Sequence, residues 1–146
     1  MKEEMYEILL VEDDPNDAEM TINALTEHHL ANKINWVEDG EQAIDYLFGL
    51  GKHTGRNIKQ KPKLILLDLK LPKIDGLEVL TRIKSDKIMK TIPVVVLTSS
   101  REDNDIKKSY NLGVNSYIVK PVDFEQFSKV VNGLGLYWLL LNQPPE

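Results

Sequence analysis

The chain contains no cysteine. Disulfide bonds, thiolate nucleophiles and cysteine-ligated zinc sites are therefore excluded. The chain also lacks a long apolar run, because its longest candidate, residues 134–141, is much shorter than the roughly 20 residues that cross a bilayer. The first residues, Met1-Lys2-Glu3-Glu4, are not followed by the apolar core of a signal peptide. We expect a cytoplasmic protein that does not contact a membrane.

An excess of positive charge is also missing. The formal net charge is −5, which argues against nucleic acid as a direct partner. Basic residues gather only in one loose cluster, which is interpreted as part of a solvated loop: Lys52, Arg56, Lys59, Lys61 and Lys63. The length of 146 residues predicts a single domain spanning 1–146.

Short apolar runs alternate with amphipathic stretches along the chain. The runs predict five strands, at 8–11, 33–37, 64–67, 93–97 and 116–119. Asp14-Pro15 is a typical helix start, because aspartate caps a helix and proline suits its first turn. Strands that alternate with helices indicate an α/β fold with a parallel sheet, right-handed crossovers and helices on both faces. The segment 49–62 is predicted to be an exposed loop.

The end of the chain, about 123–146, carries more apolar surface than one helix face can bury. One stripe at helical spacing is the predicted core side: Phe124, Phe127, Val131, Leu134 and Trp138. Other apolar residues lie off or near that stripe: Val130, Leu136, Tyr137, Leu139, Leu140 and Leu141. One interpretation is that Gly133 and Gly135 break the helix, so that the tail folds back on the domain. The other is a homodimer formed through the C-terminal helix, since large apolar patches usually mark contacts.

Polar residues follow four of the predicted strands. Glu12 and Asp13 follow the first, Asp68 follows the third, and Thr98 and Lys120 follow the fourth and fifth. Ligands of parallel open sheets collect at the carboxyl ends of the strands. Carboxylates that converge there repel one another unless a cation lies between them, so the acids favour a magnesium site.

These residue types also suit phosphoryl transfer. A carboxylate can attack phosphorus and form an acyl phosphate. Such a transfer depends mainly on positioning and on stabilising the charge of the phosphoryl oxygens. A lysine ammonium and a threonine hydroxyl provide that stabilisation, as a charge and as a hydrogen-bond donor.

Four segments resemble, in order, the motifs of the receiver domain of two-component response regulators: Leu10–Asp14, Leu67–Pro72 with Asp75-Gly76, Val96–Ser99, and Tyr117–Pro121. The resemblance covers nearly the whole chain. It implies the flavodoxin-like (βα)5 fold, a doubly wound five-stranded parallel sheet with strand order 2-1-3-4-5, an order for which the chemotaxis member of the family is an example.

The resemblance also implies roles for individual residues. Asp68 would be the phosphoacceptor, with Thr98 donating to the phosphoryl group and Lys120 forming a salt bridge with it. Asp13, Asp68 and the main-chain carbonyl of Lys70 would ligate Mg²⁺ (or Mn²⁺) directly, and Glu12 would act largely through water. Tyr117 would be an aromatic switch that moves inward as Thr98 is drawn toward the phosphate. The Lys120–Pro121 peptide bond would be cis.

The acidic pair could also align one residue later, as Asp13-Asp14. Glu12-Asp13 is preferred, because these residues directly follow the strand and Asp14 is well placed as a helix cap. Lys70 differs from the small polar residue that is common there in the family. It would either alter water access to the acyl phosphate or simply be solvated.

We expect no output module after the fifth strand, so the expected function is that of a stand-alone response regulator that acts by protein contact or phosphorelay. Four segments add a likeness to the small regulators paired with phytochrome-type histidine kinases: the insert at 49–62, residues 67–72, residues 83–86 and residues 92–100. The partner would then be a sensor histidine kinase of the phytochrome type.

Two other functions compete with a phosphoacceptor signalling protein. A degenerate receiver would act as a scaffold without phosphorylation. A phosphatase of the haloacid-dehalogenase type would be an enzyme, but it needs a second acid two residues after the nucleophile, where this chain has Lys70.

Overall fold

The computed structural model describes residues 7–27, 33–121 and 123–143. Five parallel strands form one sheet: β1 (Glu7–Val11), β2 (Lys33–Val37), β3 (Leu64–Leu67), β4 (Val94–Thr98) and β5 (Ser116–Val119). Their spatial order is β2-β1-β3-β4-β5, so the expected flavodoxin-like order is confirmed. The fourth strand begins and ends one residue later than predicted.

Five helices connect and follow the strands: α1 (Pro15–Glu27), α2 (Gly40–Phe48), α3 (Gly76–Ser85), α4 (Asp103–Asn111) and α5 (Phe124–Gly135). As predicted, Asp14 caps α1, because its Oδ1 accepts the backbone N–H groups of Asn16 and Asp17. Asp39, Asp75 and Asp123 cap α2, α3 and α5 in the same way.

The core has two layers because side chains alternate across each strand. On one face, Leu9, Ile65 and Val96 pack with residues of α2 and α3. On the other, Leu10 and Leu66 pack with residues of α1 and α5. Burial on both faces explains why β1, β3 and β4 read as continuous apolar runs.

The loop after α2 is largely exposed, as predicted, but part of it packs against α2. It contains a 3-10 turn, Gly51–His53, and the Arg56 guanidinium lies 4.1 Å from the centre of the Tyr46 ring. The Tyr46 hydroxyl donates to the Glu7 carboxylate and accepts from the Asn35 amide at 2.7 Å. We call Glu7, Asn35, Tyr46 and Arg56 the amino-edge cluster. It lies at the opposite edge of the sheet from the carboxyl ends of the strands.

The C-terminal helix does not break at its glycines. It runs through Gly133 and Gly135 into a π-helical segment, Leu136–Leu141, so the proposed helix break is wrong. The predicted stripe is only partly buried, because Phe124 is 60% exposed. Helical spacing fixes the direction of a side chain, but it does not determine whether another element lies beneath it. Leu139 is buried off the stripe, since the wider π-helical turn changes which residues face inward.

The expected cis bond is also wrong. Within the described residues there is no cis peptide bond, so the Lys120–Pro121 bond is trans. The two forms of a bond before proline differ by only about 0.5–1 kcal/mol, which is too little for the local sequence to decide between them.

Candidate functional site

The parallel sheet brings the predicted residues to one edge. The strand register pairs Val11 with Leu67, and Thr98 with Val119. The residues that follow these positions therefore end up side by side: Glu12 after β1, Asp68 after β3 and Lys120 after β5. Thr98 is itself the last residue of β4. We call Glu12, Asp68, Thr98 and Lys120 the carboxyl-edge cluster.

Asp68 is held from both sides of its carboxylate. Its Oδ1 accepts from Thr98 Oγ1 at 2.7 Å and from the backbone N–H of Lys70 at 3.2 Å. Its Oδ2 accepts from Lys120 Nζ at 2.9 Å. Burial alone would raise the pKa of Asp68, but the Lys120 charge and these hydrogen bonds outweigh it and lower that pKa below its ordinary value. Asp68 is therefore a buried but ionised carboxylate.

Lys120 joins three carboxylates. Its Nζ lies 2.6 Å from Glu12 Oε1, 2.8 Å from Asp17 Oδ2 and 2.9 Å from Asp68 Oδ2. Burial would lower its pKa, but hydrogen bonds to Asp17 and Glu12 and the Asp68 charge raise it above the ordinary lysine value. Sequence reasoning missed Asp17, which lies in the first turn of α1. Its position two residues after the helix-starting proline was the available signal, since α1 begins beside the strand ends.

Glu12 is buried like Asp68, but its pKa moves in the opposite direction. Burial and the nearby Asp68 charge raise the pKa of Glu12 to about 8, although Lys120 partly offsets the shift. Among the described residues, its Oε2 accepts only the backbone N–H of Asp14, at 3.2 Å. A cation bound at this group would favour its ionised form.

The residues present fit a magnesium ion. One carboxylate oxygen from each of Glu12, Asp13 and Asp68 lies within 4.8 Å of the others. Oxygen-only donors of this kind are those that Mg²⁺ prefers. Asp13 is exposed, so the acid group is open to solvent on one side. Asp14 uses its carboxylate to cap α1, which favours the Glu12-Asp13 alignment over the later one.

A groove of about 500 Å³ opens next to these acids. Its lining includes Asp13, Lys70, Pro72, Asp75, Leu77 and Asp105. The Lys70 side chain is exposed at this groove, while its backbone N–H is bonded to Asp68.

Tyr117 is linked to Thr98 through Ser100. The Tyr117 hydroxyl donates to the carbonyl oxygen of Ser100 at 3.0 Å, and the Ser100 N–H lies 3.4 Å from Thr98 Oγ1. The Tyr117 side chain is half-buried, and burial raises the pKa of its hydroxyl. Movement of Thr98 would therefore act on a segment that is bonded to this ring.

Trp36 is a second neighbour that sequence reasoning missed. Its indole Nε1 donates to the carbonyl oxygen of Glu12 at 2.8 Å. One of the two tryptophans of the chain is thus bonded to the backbone of a residue of the acid group. It offers an intrinsic fluorescent reporter of events at this site.

Within the described part of the chain, no helix is long and apolar enough to cross a membrane.

Comparison with known families gives one match that covers most of the chain. The model of the response regulator receiver domain matches residues 8–132. The chain is 42% identical over 143 residues to the probable methanogenesis regulatory protein FilR2 of Methanothrix harundinacea (strain 6Ac), covering 98% of this chain and 90% of FilR2. It is 39% identical over 132 residues to the response regulator Rcp1 of Synechocystis, covering 90% of this chain and 88% of Rcp1.

Solved structures agree with the sequence relatives. The phosphorylated cyanobacterial phytochrome response regulator RcpA matches with a TM-score of 0.91 and 40% identity, over 98% of this chain and 100% of RcpA. The Mn²⁺-bound form of Rcp1 matches with a TM-score of 0.89 and 38% identity, over 97% of this chain and 99% of that structure.

Proposed function

The chain belongs to the response regulator receiver family, and from this premise we propose that Asp68 is the residue that accepts a phosphoryl group. One observation carries the proposal: Thr98 and Lys120 donate to different oxygens of the buried Asp68 carboxylate. The carboxylate stays ionised there, as a nucleophile must. The same two donors flank the place where a phosphoryl group would bind.

In the proposed step, a carboxylate oxygen of Asp68 attacks the phosphorus of a phosphohistidine. The new P–O bond forms as the P–N bond breaks, and the bonding pair leaves on the imidazole nitrogen. The Lys120 ammonium and the Thr98 hydroxyl stabilise the anionic phosphoryl oxygens, and Lys120 does so as a charge that is already ordered by its carboxylate partners. The protein thereby assists its own phosphorylation, but it remains a signalling protein.

Glu12, Asp13, Asp68 and the main-chain carbonyl of Lys70 are the groups that would hold Mg²⁺ or Mn²⁺. The ion would supply positive charge that offsets the repulsion between these acids and the incoming phosphoryl group. Titration with either metal should change the fluorescence of Trp36, because its indole is bonded to Glu12. Trp138→Phe isolates the Trp36 signal, and Asp13→Asn should weaken the response. An unchanged titration in Asp13→Asn would remove Asp13 from the ligand set.

The switch would run from Thr98 to Tyr117. We expect Thr98 to follow the phosphoryl group, which changes the Ser100 segment to which the Tyr117 hydroxyl is bonded. Tyr117 would then move inward and alter the surface that partners contact. Nuclear magnetic resonance spectra with and without beryllofluoride should show this change at Tyr117, and a spectrum that shifts only at the acids would contradict it.

Acetyl phosphate and Mg²⁺ should add one phosphoryl group to the protein, detected by intact mass. Asp68→Asn should abolish the labelling, whereas Asp103→Asn is a matched control at an exposed aspartate of α4 and should retain it. Labelling that persists in Asp68→Asn would refute the acceptor assignment. A wild-type protein that never labels would favour a phosphorylation-independent scaffold.

The proposed upstream partner is a sensor histidine kinase of the phytochrome type. RcpA, which is similar over the whole chain, is a phytochrome response regulator. FilR2 is a probable methanogenesis regulator of comparable length. The competing assignment is therefore a regulator of that kind, which pairs with a kinase that has no phytochrome sensor. Phosphotransfer from each purified histidine kinase of the source organism, with Asp68→Asn as the blank, separates the two. Preferred transfer from a kinase without a phytochrome sensor would overturn the phytochrome assignment.

The relatives FilR2 and Rcp1 are close to this chain in length, which supports a receiver that signals by contact or phosphorelay as a single domain. The proposed contact includes a second copy of the chain. Large apolar side chains of α5 and the π-helical segment are exposed: Phe124, Leu136, Tyr137 and Leu141. Such surfaces usually mark protein contacts.

Sedimentation equilibrium tests this dimer. Leu141→Glu should weaken self-association, because Leu141 is 72% exposed in the C-terminal segment. Leu50→Glu is the matched control at an exposed leucine of the loop after α2, and it should leave association unchanged. A wild-type protein that stays monomeric at high concentration, with and without beryllofluoride, would sink the proposal.

A further inference from the structure

All hydrogen-bonding capacity of the Lys120 ammonium is in use. An ammonium has three N–H donors. Lys120 Nζ donates to Glu12, Asp17 and Asp68 at 2.6–2.9 Å, and its side chain is 9% exposed. A phosphoryl group that arrives at Asp68 can therefore bind Lys120 only if one of these carboxylates is released.

Glu12 and Asp68 are poor candidates for release. Each is at most 6% exposed, and each is held at its other oxygen by a backbone N–H. Glu12 would keep the cost of its desolvation if it lost this cation, and phosphorylated Asp68 keeps one carbonyl oxygen that can still accept from Lys120. These two contacts should therefore survive the arrival of a phosphoryl group.

Asp17 differs from both. Its side chain is 24% exposed, and among the described residues Lys120 is the sole hydrogen-bond partner of its carboxylate. It lies in the first turn of α1, where the helix dipole favours a negative charge even without a partner. Water can reach Asp17 and replace Lys120 there, so releasing this contact costs less than releasing the contact with a buried acid.

We propose that Asp17 is a positioning residue that holds Lys120 in the unphosphorylated protein and is exchanged for a phosphoryl oxygen when Asp68 is modified. The inference rests on the proposed function of Asp68. In this exchange one Lys120 N–H leaves Asp17 Oδ2 and donates to the phosphoryl group, while the contacts with Glu12 and Asp68 persist. Asp17 thus competes with the phosphoryl group for the same cation.

The competition predicts the direction in which variants of Asp17 change the labelling rate. Asp17→Asn keeps the size of the side chain but removes its charge, so Lys120 should be easier to transfer. Labelling by acetyl phosphate at saturating Mg²⁺ should become faster by about fivefold, the size expected from a partly exposed ion pair. Asp17→Ala should change the rate in the same direction. Glu19→Gln, the same charge change at an exposed position of α1, should leave the rate unchanged.

Two measurements separate this role from a structural one. Beryllofluoride affinity, followed by Trp36 fluorescence, should rise with the labelling rate, because this phosphoryl mimic needs Lys120 but has no leaving group. Added salt should shrink the advantage of Asp17→Asn, since screening weakens the competing ion pair. Slower labelling in Asp17→Asn, or no change in either measurement, would overturn the inference while leaving the role of Asp68 intact. Failure of the wild-type protein to label would instead defeat the proposed function and the inference with it.

Discussion

Each edge of the sheet places an acid near a cation, but Glu12 and Asp68 at the carboxyl edge are buried, whereas Glu7 at the amino edge is only half-buried. At the carboxyl-edge cluster, the Lys120 ammonium is bonded to three carboxylates, and the neighbouring Asp13 lines an open groove. At the amino-edge cluster, the Glu7 carboxylate is bonded to Tyr46 and Asn35, and the Arg56 guanidinium covers the Tyr46 ring. The first arrangement concentrates negative charge, so another cation can compete with Lys120 for the acids. The second pairs the acid with neutral donors and closes it under a loop.

This contrast teaches why only one edge is suited to chemistry. At the carboxyl edge, burial raises the pKa of Glu12, whereas at Asp68 the Lys120 charge outweighs burial and lowers the pKa, so that site responds to added charge. The amino edge instead ties the loop after α2 to the start of β1. We therefore expect changes at the carboxyl edge to affect phosphorylation and changes at the amino edge to affect stability alone.

Lys120→Met gives the largest expected effect. It leaves the buried acids Glu12 and Asp68 without their cation, which should lower the free energy of unfolding by about 3 kcal/mol. Urea unfolding without divalent metal measures the loss, and Mg²⁺ should restore part of it. Arg56→Met, which removes the cation of the amino edge, should cost only about 1 kcal/mol because a stacking contact is lost. Equal losses in the two variants would break the distinction between the edges.

Gly40→Ala is expected to give the second-largest loss of stability. Gly40 begins α2 against the loop that follows Asp68, and a methyl group there would lie 1.8 Å from the carbonyl oxygen of Ile74. Relieving that clash should cost about 2 kcal/mol and slow the labelling of Asp68, because the same loop carries Lys70.

Gly133→Ala is the control for this substitution. A methyl group at Gly133 meets nothing within 4 Å, so thermal unfolding should show a gain of roughly 0.5–1 kcal/mol in helix stability and unchanged labelling. If Gly40→Ala were as stable and as readily labelled as Gly133→Ala, the loop would not depend on α2 for its position.

The carboxyl edge was largely predictable because its residues directly follow strands. The family resemblance predicted the strand order. With that order, parallel pairing brings Asp68 and Lys120 to the same edge of the sheet. Asp17 was missed because its contact with Lys120 depends on how α1 is rotated against the sheet. Trp36 was missed because its partner is a backbone oxygen, which no side-chain motif reveals.

The amino edge was not predictable by the same reasoning. Its members come from the start of β1, the middle of β2, the second half of α2 and a loop, so no shared position in the pattern marks them. The π-helical segment at Leu136–Leu141 was not predicted for the same reason, because its winding depends on packing against the domain. Local spacing therefore predicted elements and strand ends, but not contacts that require the packed structure.

Tyr46→Phe gives the smallest effect and tests the amino edge alone. Losing the hydroxyl should cost about 1 kcal/mol near neutral pH, because Glu7 keeps Asn35 as a donor. Burial and the hydrogen bond to Glu7 raise the pKa of Tyr46 to about 12, from an ordinary value of 10.0. A raised pKa in the folded state means that the unfolded chain loses the proton first as the pH rises. The stabilisation by this hydroxyl is therefore complete below pH 10 and is lost between about pH 10 and 12.

Two measurements test whether the stabilisation by the Tyr46 hydroxyl is lost as the pH rises. In a spectrophotometric titration of the folded protein, Tyr46→Phe should remove a late-ionising tyrosine, whereas Tyr110→Phe, at an exposed position of α4, should leave that late component in place. In urea unfolding, the gap between wild type and Tyr46→Phe should narrow as the pH rises through this interval. Labelling of Asp68 should be the same in both proteins, because the hydroxyl lies at the opposite edge of the sheet. A Tyr46→Phe variant that labels more slowly would show that the two edges are coupled through α2, which runs between them.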